Sequence, residues 1–207
     1  MITSVWILVV LTALWAGLTF SLWRGRRWLA FYLTGAFGFV LLAISFMRSL
    51  GMDATIEALQ AQQVVALATR IGLGLEVLGA SGLAIPNHTG WAVFDIGIEC
   101  SALLEMFAFT GLVMFYPAFS RGRKAGTIGL GVAATWIINL LRILLIVAII
   151  NQFGTGWVFP AHAVFGRVFF FAATIAIYWY LVTRPTISVV GAQLEAARID
   201  ASEAADE

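Results

Sequence analysis

Apolar residues occupy five long stretches of the chain, and polar segments separate them. The stretches cover residues 5–23, 28–46, 100–116, 126–150 and 163–182. An α-helix rises 1.5 Å per residue, so about 20 apolar residues cross a hydrocarbon core of roughly 30 Å. The pattern therefore predicts an all-α polytopic membrane protein with about five transmembrane helices.

Composition agrees with this class and excludes others. Apolar residues make up 61% of the 207 residues and charged residues only 11%, with a formal net charge of +1. A soluble domain carries about 25% charged residues, so this chain has too few polar side chains to cover a water-soluble surface. Disordered and nucleic-acid-binding chains need more charge still, and no nucleic-acid partner is expected.

Two compact basic clusters indicate the orientation. Arg24-Gly25-Arg26-Arg27 and Arg121-Gly122-Arg123-Lys124 lie in alternate gaps, and cytoplasmic loops are enriched in Lys and Arg. The N-terminus is therefore predicted outside and the C-terminus inside, in a multi-pass protein of the cytoplasmic (inner) cell membrane. Residues 1–184 are expected to form one transmembrane bundle that includes an extracytoplasmic segment at 47–99. Residues 185–207 are expected to form a cytoplasmic tail.

The 47–99 segment is too polar to span a membrane and predicts an amphipathic helix followed by a short β-hairpin. Apolar residues recur every three or four positions from Ile56 to Leu75, after Asp53, which can cap a helix. This helix lies either on the outer leaflet or over the bundle as a cap. Residues 83–85 and 91–98 flank a turn at 86–90, which predicts the hairpin. The polar side of the predicted amphipathic helix carries Glu57, Gln60, Gln63 and Arg70.

Three chemically active side chains are predicted to meet at one depth. Arg142 lies about 16 residues, or roughly 24 Å, from the cytoplasmic end of its span, with Asn139 on the same helical face. An ionisable group within a span costs about 2.5–3.5 kcal/mol, so it usually marks function. Cys100 opens the third span from outside and His162 opens the fifth, so all three residues fall in the outer half of the bilayer.

A cysteine, a histidine and an arginine suffice for acyl transfer. The Cys100 thiolate is the candidate nucleophile, and its pKa is expected to fall beside Arg142 and at the start of its own helix. His162 is the candidate acid and base, and Arg142 stabilises either the thiolate or the oxyanion. Cys100 is the only cysteine, which excludes a disulfide within the chain and a multi-cysteine metal site. Neither a metal nor a cofactor is expected.

Each of these residues also has a structural interpretation. Cys100 fits a small packed hydrophobic residue, and His162 fits an interfacial side chain. Arg142 fits a structural ion pair with Glu105. Taken singly, only Arg142 favours function, whereas the predicted convergence of all three favours an active site.

Three other residues are rivals for the same roles. His88, in the hairpin turn, is a rival base, although exposure to solvent explains it more simply. Ser101 is a rival nucleophile, but no Ser-Lys or Ser-His-Asp arrangement supports it. Arg167 is interpreted as the structural partner of Glu99 or Glu105.

Short motifs between about residues 96 and 170 resemble those of the exosortase/archaeosortase family of polytopic membrane cysteine transpeptidases. That family has a Cys-Ser/Thr-Gly-like motif entering a span, an Asn-x-x-Arg in the next span and a His beginning the following one. The match covers about residues 96–170 in order and spacing, with alanine in place of the family's glycine. The matching segments are Ile98-Glu99-Cys100-Ser101-Ala102, Asn139-Leu140-Leu141-Arg142-Ile143 and His162.

The resemblance implies an activity and residue roles. Cys100, Arg142 and His162 would form a catalytic triad. The substrate would be a membrane-anchored protein with a C-terminal sorting signal, made of a short motif, a hydrophobic helix and a basic cluster. It would be cleaved through a thioester outside the membrane and passed to a lipid or cell-surface glycan acceptor. Fewer spans than the eight of long exosortases imply a compact member of the Gram-positive type. The residues expected to support the triad are Glu99, Ser101 and Asn139.

A non-enzymatic role is the alternative. In it the protein is a small transporter or an assembly subunit, and Arg142 binds an anionic ligand. The two predictions differ in whether Cys100 is required for processing of a substrate.

Overall fold

The computed structural model describes residues 2–187, and the side chains from residue 6 onward. Of the predicted tail, residues 188–207 lie outside the described part. Four helices, α1, α2, α5 and α6, are long and apolar enough to cross a membrane, which indicates a membrane-embedded protein. The helices are α1 Ile2–Arg24, α2 Trp28–Ser49, α3 Met52–Arg70, α4 Leu103–Phe115, α5 Arg121–Phe153 and α6 Thr155–Ile187. The strands are β1 Glu76–Leu78, β2 Gly82–Asn87 and β3 Gly90–Asp95.

The third predicted span is shorter than the sequence pattern indicates. Its helix, α4, has 13 residues and is therefore about 20 Å long, well below the thickness of a hydrocarbon core. Ala102, before its first residue, has a left-handed backbone with φ 55°. At the other end Tyr116 is extended, as a residue before proline prefers to be. The prediction of a span over 100–116 is therefore wrong in its length.

The fourth predicted span is longer than expected. Helix α5 has 33 residues and begins at Arg121, so the second basic cluster forms its first turn rather than a loop. Lys124 Nζ donates to the Met114 carbonyl at 2.6 Å. The Arg123 guanidinium lies over the Phe119 ring at 4.2 Å. These contacts fix the cluster at the α4–α5 junction.

Helix α3 forms where the periodicity predicts it, but it is rotated relative to the prediction. Gln60, expected on the polar side, is fully buried, whereas Leu59 is 45% exposed and Ile71 is 66% exposed. The reason is that α3 packs against α5 and the sheet through a face of small residues beside Gln60. Asp53 makes no capping hydrogen bond and instead pairs with Arg48, with Oδ2 and Nε 3.9 Å apart.

The predicted hairpin is present as β2–β3, and β1 adds a third antiparallel strand. Its turn is shorter than the predicted 86–90, because Pro86 pairs with Trp91 and Asn87 with Gly90. Asn87 Oδ1 accepts the Thr89 N–H at 2.9 Å, the usual side-chain closure of an Asn turn. Proline is tolerated here because β1 pairs only as far as Ala84, which leaves the other side of β2 unpaired at that point.

One hydrophobic core joins the sheet to the helices. The inward faces of β2 and β3 pack on α3, on the C-terminal half of α5 and on the start of α6, and Cys100 belongs to this core. By contrast, α1 exposes most of its apolar side chains, as expected of a helix in contact with lipid. The largest fully buried residues of this core are Leu83, Ile85, Ile96, Ile143, Ile146 and Ile150.

Candidate active site

Cys100 lies in a tight turn between β3 and α4 rather than inside a helix. The backbone N–H groups of Cys100 and Ser101 both donate to the Gly97 carbonyl, at 2.8 and 3.0 Å. The Ser101 hydroxyl donates to the Ile98 carbonyl at 2.9 Å, so it serves the turn itself. Cys100 is 6% exposed. The turn therefore holds the thiol at the edge of the core.

His162 belongs to the first turns of α6, and its ring lies beside the Cys100 thiol. It lies in a π-helical segment, Ala161–Gly166, a local widening of a helix that is frequent at functional sites. Its ring packs against Phe94 of β3 with ring centroids 5.4 Å apart. Cys100 Sγ lies 3.7 Å from His162 Nδ1 and 3.9 Å from Nε2. The sheet and α6 thus bring sulfur and imidazole together.

The sulfur and the imidazole both line one open cleft. The cleft has a volume of about 720 Å³, and its wall includes Phe94, Glu99 and Phe159. Glu99 is exposed and Phe159 is 76% exposed. The cleft is therefore largely apolar with a carboxylate beside the thiol, and it is large enough for an extended peptide segment.

Burial raises the pKa of the Cys100 thiol, and the positive charge of Arg142 opposes this shift without overcoming it. The expected lowering of this pKa is therefore wrong in sign. One reason is that α4 begins only at Leu103, so the thiol is not the first group of a helix. The thiol is neutral at rest, and its nucleophilic form requires a base such as the adjacent imidazole.

Arg142 is buried in α5 without a carboxylate partner. It is 4% exposed, its guanidinium lies 5.1 Å from the centroid of the Phe170 ring, and its Nε has no hydrogen-bond partner within residues 2–187. The ion pair with Glu105 considered in the sequence is not formed in this part of the chain. A buried cation without a carboxylate is costly to keep.

Arg142 lines a second cavity beside the cleft. This cavity has a volume of about 280 Å³, and Glu99, which also lines the first cleft, forms part of its wall with Glu105 and Arg167. The expected ion pair of Arg167 with either glutamate does not form in the structure that is described. The structure thus brings Cys100 and His162 together directly and places Arg142 in the adjoining cavity.

Asn139 and Gln60 bond to backbone carbonyls of the turn at residues 97–101, the cysteine turn. Asn139 Nδ2 donates to the Cys100 carbonyl at 2.7 Å and to Gln60 Oε1 at 3.3 Å. Gln60 Nε2 donates to the Ser101 carbonyl at 2.9 Å. The apolar periodicity of α3 does not indicate a role for Gln60 in the site, although Ala61 and Ala68, one heptad apart beside it, are a signal of close helix packing.

The second histidine lies elsewhere. His88 is exposed in the β2–β3 turn, as its simpler interpretation predicts, and it packs near Gly154. Within residues 2–187 no three His, Cys, Asp or Glu side chains are grouped to hold a metal ion. The arrangement fits nucleophilic chemistry by a thiol and an adjacent imidazole. A comparison of the chain with family models, curated proteins and solved structures finds no match.

Proposed function

We propose that this protein is a membrane-embedded cysteine transpeptidase or peptidase of the exosortase/archaeosortase type. The observation that carries the proposal is the placement of the only cysteine of the chain within 3.7 Å of a histidine ring nitrogen, in a cleft of about 720 Å³. A nucleophile and a base within reach of each other beside a substrate-sized cleft are the minimum for covalent catalysis. The motif order Cys100, Asn139, Arg142, His162 supports the same class.

The first half of the reaction forms a thioester. His162 accepts the Cys100 S–H proton while the sulfur attacks a peptide carbonyl carbon, and a tetrahedral oxyanion results. Arg142 supplies the positive charge that stabilises the thiolate or the oxyanion. When the oxyanion collapses, the C–N bond breaks, and the imidazolium returns its proton to the departing amine.

The second half releases the product. An acceptor amine or hydroxyl gives its proton to His162 and attacks the thioester carbon, which breaks the C–S bond. The Cys100 sulfur takes the proton back, and the enzyme returns to its neutral state. With a lipid or glycan acceptor the reaction is transfer, and with water it is hydrolysis.

The substrate class follows the family resemblance. It is a membrane-anchored protein with a C-terminal signal of short motif, hydrophobic helix and basic cluster. The exposed ring of Phe159 at the cleft suits an apolar segment that enters from the lipid side. The proposed orientation puts this cleft on the extracytoplasmic side of the cytoplasmic membrane.

Variants of the two histidines give a matched test. A tagged protein with such a C-terminal signal is coexpressed with the enzyme, and its processing is followed by gel mobility and by the intact mass of the product. Cys100→Ala and His162→Ala are expected to abolish processing, whereas His88→Ala, at the other histidine, leaves it unchanged. Processing that survives Cys100→Ala rejects the enzyme. The product mass identifies the acceptor.

The orientation has its own test, because Cys100 is the only site for thiol reagents. A membrane-impermeant maleimide applied to intact cells is expected to label the protein, and the Cys100→Ala variant shows no labelling. Labelling that appears only in inverted vesicles contradicts the proposed orientation.

A second function is favoured by one observation. Within residues 2–187 Arg142 Nε is buried without a partner, at a cavity of about 280 Å³ that Arg167, Glu99 and Glu105 also line. In a transporter or assembly subunit this guanidinium would bind an anionic group of a ligand. In that case Arg142→Lys retains much of the binding because the charge remains, and Cys100→Ala has no effect on function.

A further inference from the structure

We propose that Gln60 is a positioning residue for the reactive cysteine. Its side-chain amide holds the Cys100–Ser101 turn, together with Asn139, so that the sulfur faces His162. This inference rests on the proposed function, in which the thiol and the imidazole act as a pair. It assigns a role in the site to α3, a helix outside the matched motifs.

The contacts of Gln60 form a closed arrangement across three segments of the chain. Its Nε2 donates to the Ser101 carbonyl at 2.9 Å, and its Oε1 accepts from Asn139 Nδ2 at 3.3 Å. The same Asn139 nitrogen donates to the Cys100 carbonyl at 2.7 Å. Two successive carbonyls of the cysteine turn are thus held by two side chains that also bind each other.

Burial makes the loss of any one of these hydrogen bonds costly. Gln60, Asn139 and Ser101 are each 0% exposed, so solvent offers no replacement partner for a lost hydrogen bond. A buried polar group without a hydrogen bond costs free energy. Gln60 bonds through both its Nε2 and its Oε1, whereas Asn139 Oδ1 has no partner within residues 2–187. An amide supplies one acceptor and one donor at the required places, whereas a leucine of similar size supplies neither.

The cysteine turn needs such support because its own backbone bonds are local. The N–H groups of Cys100 and Ser101 bond to the Gly97 carbonyl, which closes the turn but does not attach it to α5 or α3. The next residue, Ala102, has a left-handed backbone with φ 55°, a conformation that a non-glycine residue keeps only when its surroundings impose it. Gln60 and Asn139 provide that attachment to the two helices.

The experiment measures the reactivity of the thiol, which needs no substrate. The full-length protein in detergent is alkylated with iodoacetamide across a pH series, and the single cysteine makes the rate specific to Cys100. In the wild type the rate is expected to rise through the pH range in which the His162 imidazole loses its proton. In His162→Ala this step is absent, and the rate rises only in the alkaline range of a buried thiol.

Gln60→Leu is expected to lose the imidazole-dependent step, as His162→Ala does, and to lower the rate of substrate processing by roughly ten- to a hundredfold, the usual effect of a small misplacement. Adding Gln60→Leu to His162→Ala is expected to change the pH profile no further. The matched control is Gln63→Leu, one turn away on the same helix. It removes the acceptor of the Trp136 indole N–H at 3.0 Å, and its pH profile is expected to retain the imidazole-dependent step.

Gln60→Glu provides a second variant if Gln60→Leu fails to fold. A buried carboxylic acid stays protonated and retains one O–H donor for the Ser101 carbonyl, so this variant is expected to keep the imidazole-dependent step that Gln60→Leu loses. A Gln60→Leu profile identical to that of the wild type overturns the positioning role while leaving the Cys100–His162 pair intact. A wild-type profile without the step overturns the proposed function instead.

Discussion

The least ordinary residue of the molecule is Arg142, a cation that is 4% exposed and has no carboxylate partner in the described part of the chain. The Phe170 ring lies 5.1 Å from its guanidinium, and Glu99 and Glu105 line the same cavity without forming an ion pair within residues 2–187. A cation–π contact contributes about 0.5–2 kcal/mol. That is less than the several kcal/mol that burial of an ion costs. The cation–π contact alone therefore does not account for the burial of Arg142, and the proposed function gives the position a role.

Arg142→Met tests this explanation. We expect the free energy of unfolding to stay the same or to rise by about 1 kcal/mol, because an apolar side chain of similar length replaces a buried ion. Processing of the substrate is expected to be lost. Thermal unfolding in detergent and the processing assay measure the two effects, and a variant that unfolds at much lower temperature with normal activity contradicts the explanation.

The Cys100 thiol is the basis of a second prediction, which concerns how the stability of the fold depends on pH. Because burial raises its pKa in the folded protein, the unfolded chain releases this proton first as the pH rises above about 8.5. The contribution of the thiol to stability is therefore complete below that pH and is lost as the pH rises towards the pKa in the folded state. We expect chemical unfolding of the wild type to become easier at alkaline pH relative to Cys100→Ala, and parallel curves for the two proteins reject the raised pKa.

At the scale of elements, the junction of α5 with α6 fixes the sheet to the bundle. Gly154 has φ 88°, and a Cβ there meets His88 Cε1 at 3.0 Å and Thr89 Oγ1 at 3.1 Å. Asn151 Nδ2 donates to the Pro86 carbonyl at 2.6 Å. The hairpin turn is therefore attached to residues 151–154, which lie shortly before His162 in the chain.

Gly154→Ala is expected to weaken this junction by about 1–2 kcal/mol, because a left-handed backbone disfavours alanine and the added methyl group contacts the hairpin turn. Hydrogen exchange in β2 and β3 is expected to accelerate, and the melting temperature to fall. The stability control is Gly156→Ala, where a Cβ meets nothing within 4 Å. Equal melting temperatures of the two variants contradict the role of the junction.

The sequence predicts the proximity of Cys100 and His162 because each was assigned to the same end of its own span. It does not predict how α3 is rotated, since the apolar Leu59 lies on its exposed side and the polar Gln60 on its buried side. It also gives no sign of the π-helical segment around His162, which depends on packing against the sheet. The role of Gln60 depends on that rotation. Because the apolar periodicity does not reveal the rotation, it places Gln60 on the polar side of the helix.

For the molecule as a whole, the helices form one connected packing arrangement. Helices α1 and α2 pack on each other, α2 packs on α4, and α4 packs on α5. The sheet, α3, α5 and the start of α6 form the core that contains Cys100. The orientation of the chain was predicted from the basic clusters, whereas the grouping around the site depends on long-range contacts with no local sequence signal.

The shortness of α4 predicts a dependence on bilayer thickness if α4 crosses the membrane, as the proposed orientation requires. With 13 residues, α4 is roughly 10 Å shorter than an average hydrocarbon core, so lipid would thin around it or its ends would lie below the headgroups. In the proposed orientation the cysteine turn lies at one of these ends. Reconstitution in dimyristoleoyl, dioleoyl and dierucoyl phosphatidylcholine is expected to give the fastest alkylation of Cys100 in the thinnest bilayer, and equal rates in all three reject this dependence. In the proposed enzyme, the lipid composition around the protein would then regulate how far water and the acceptor reach the thiol.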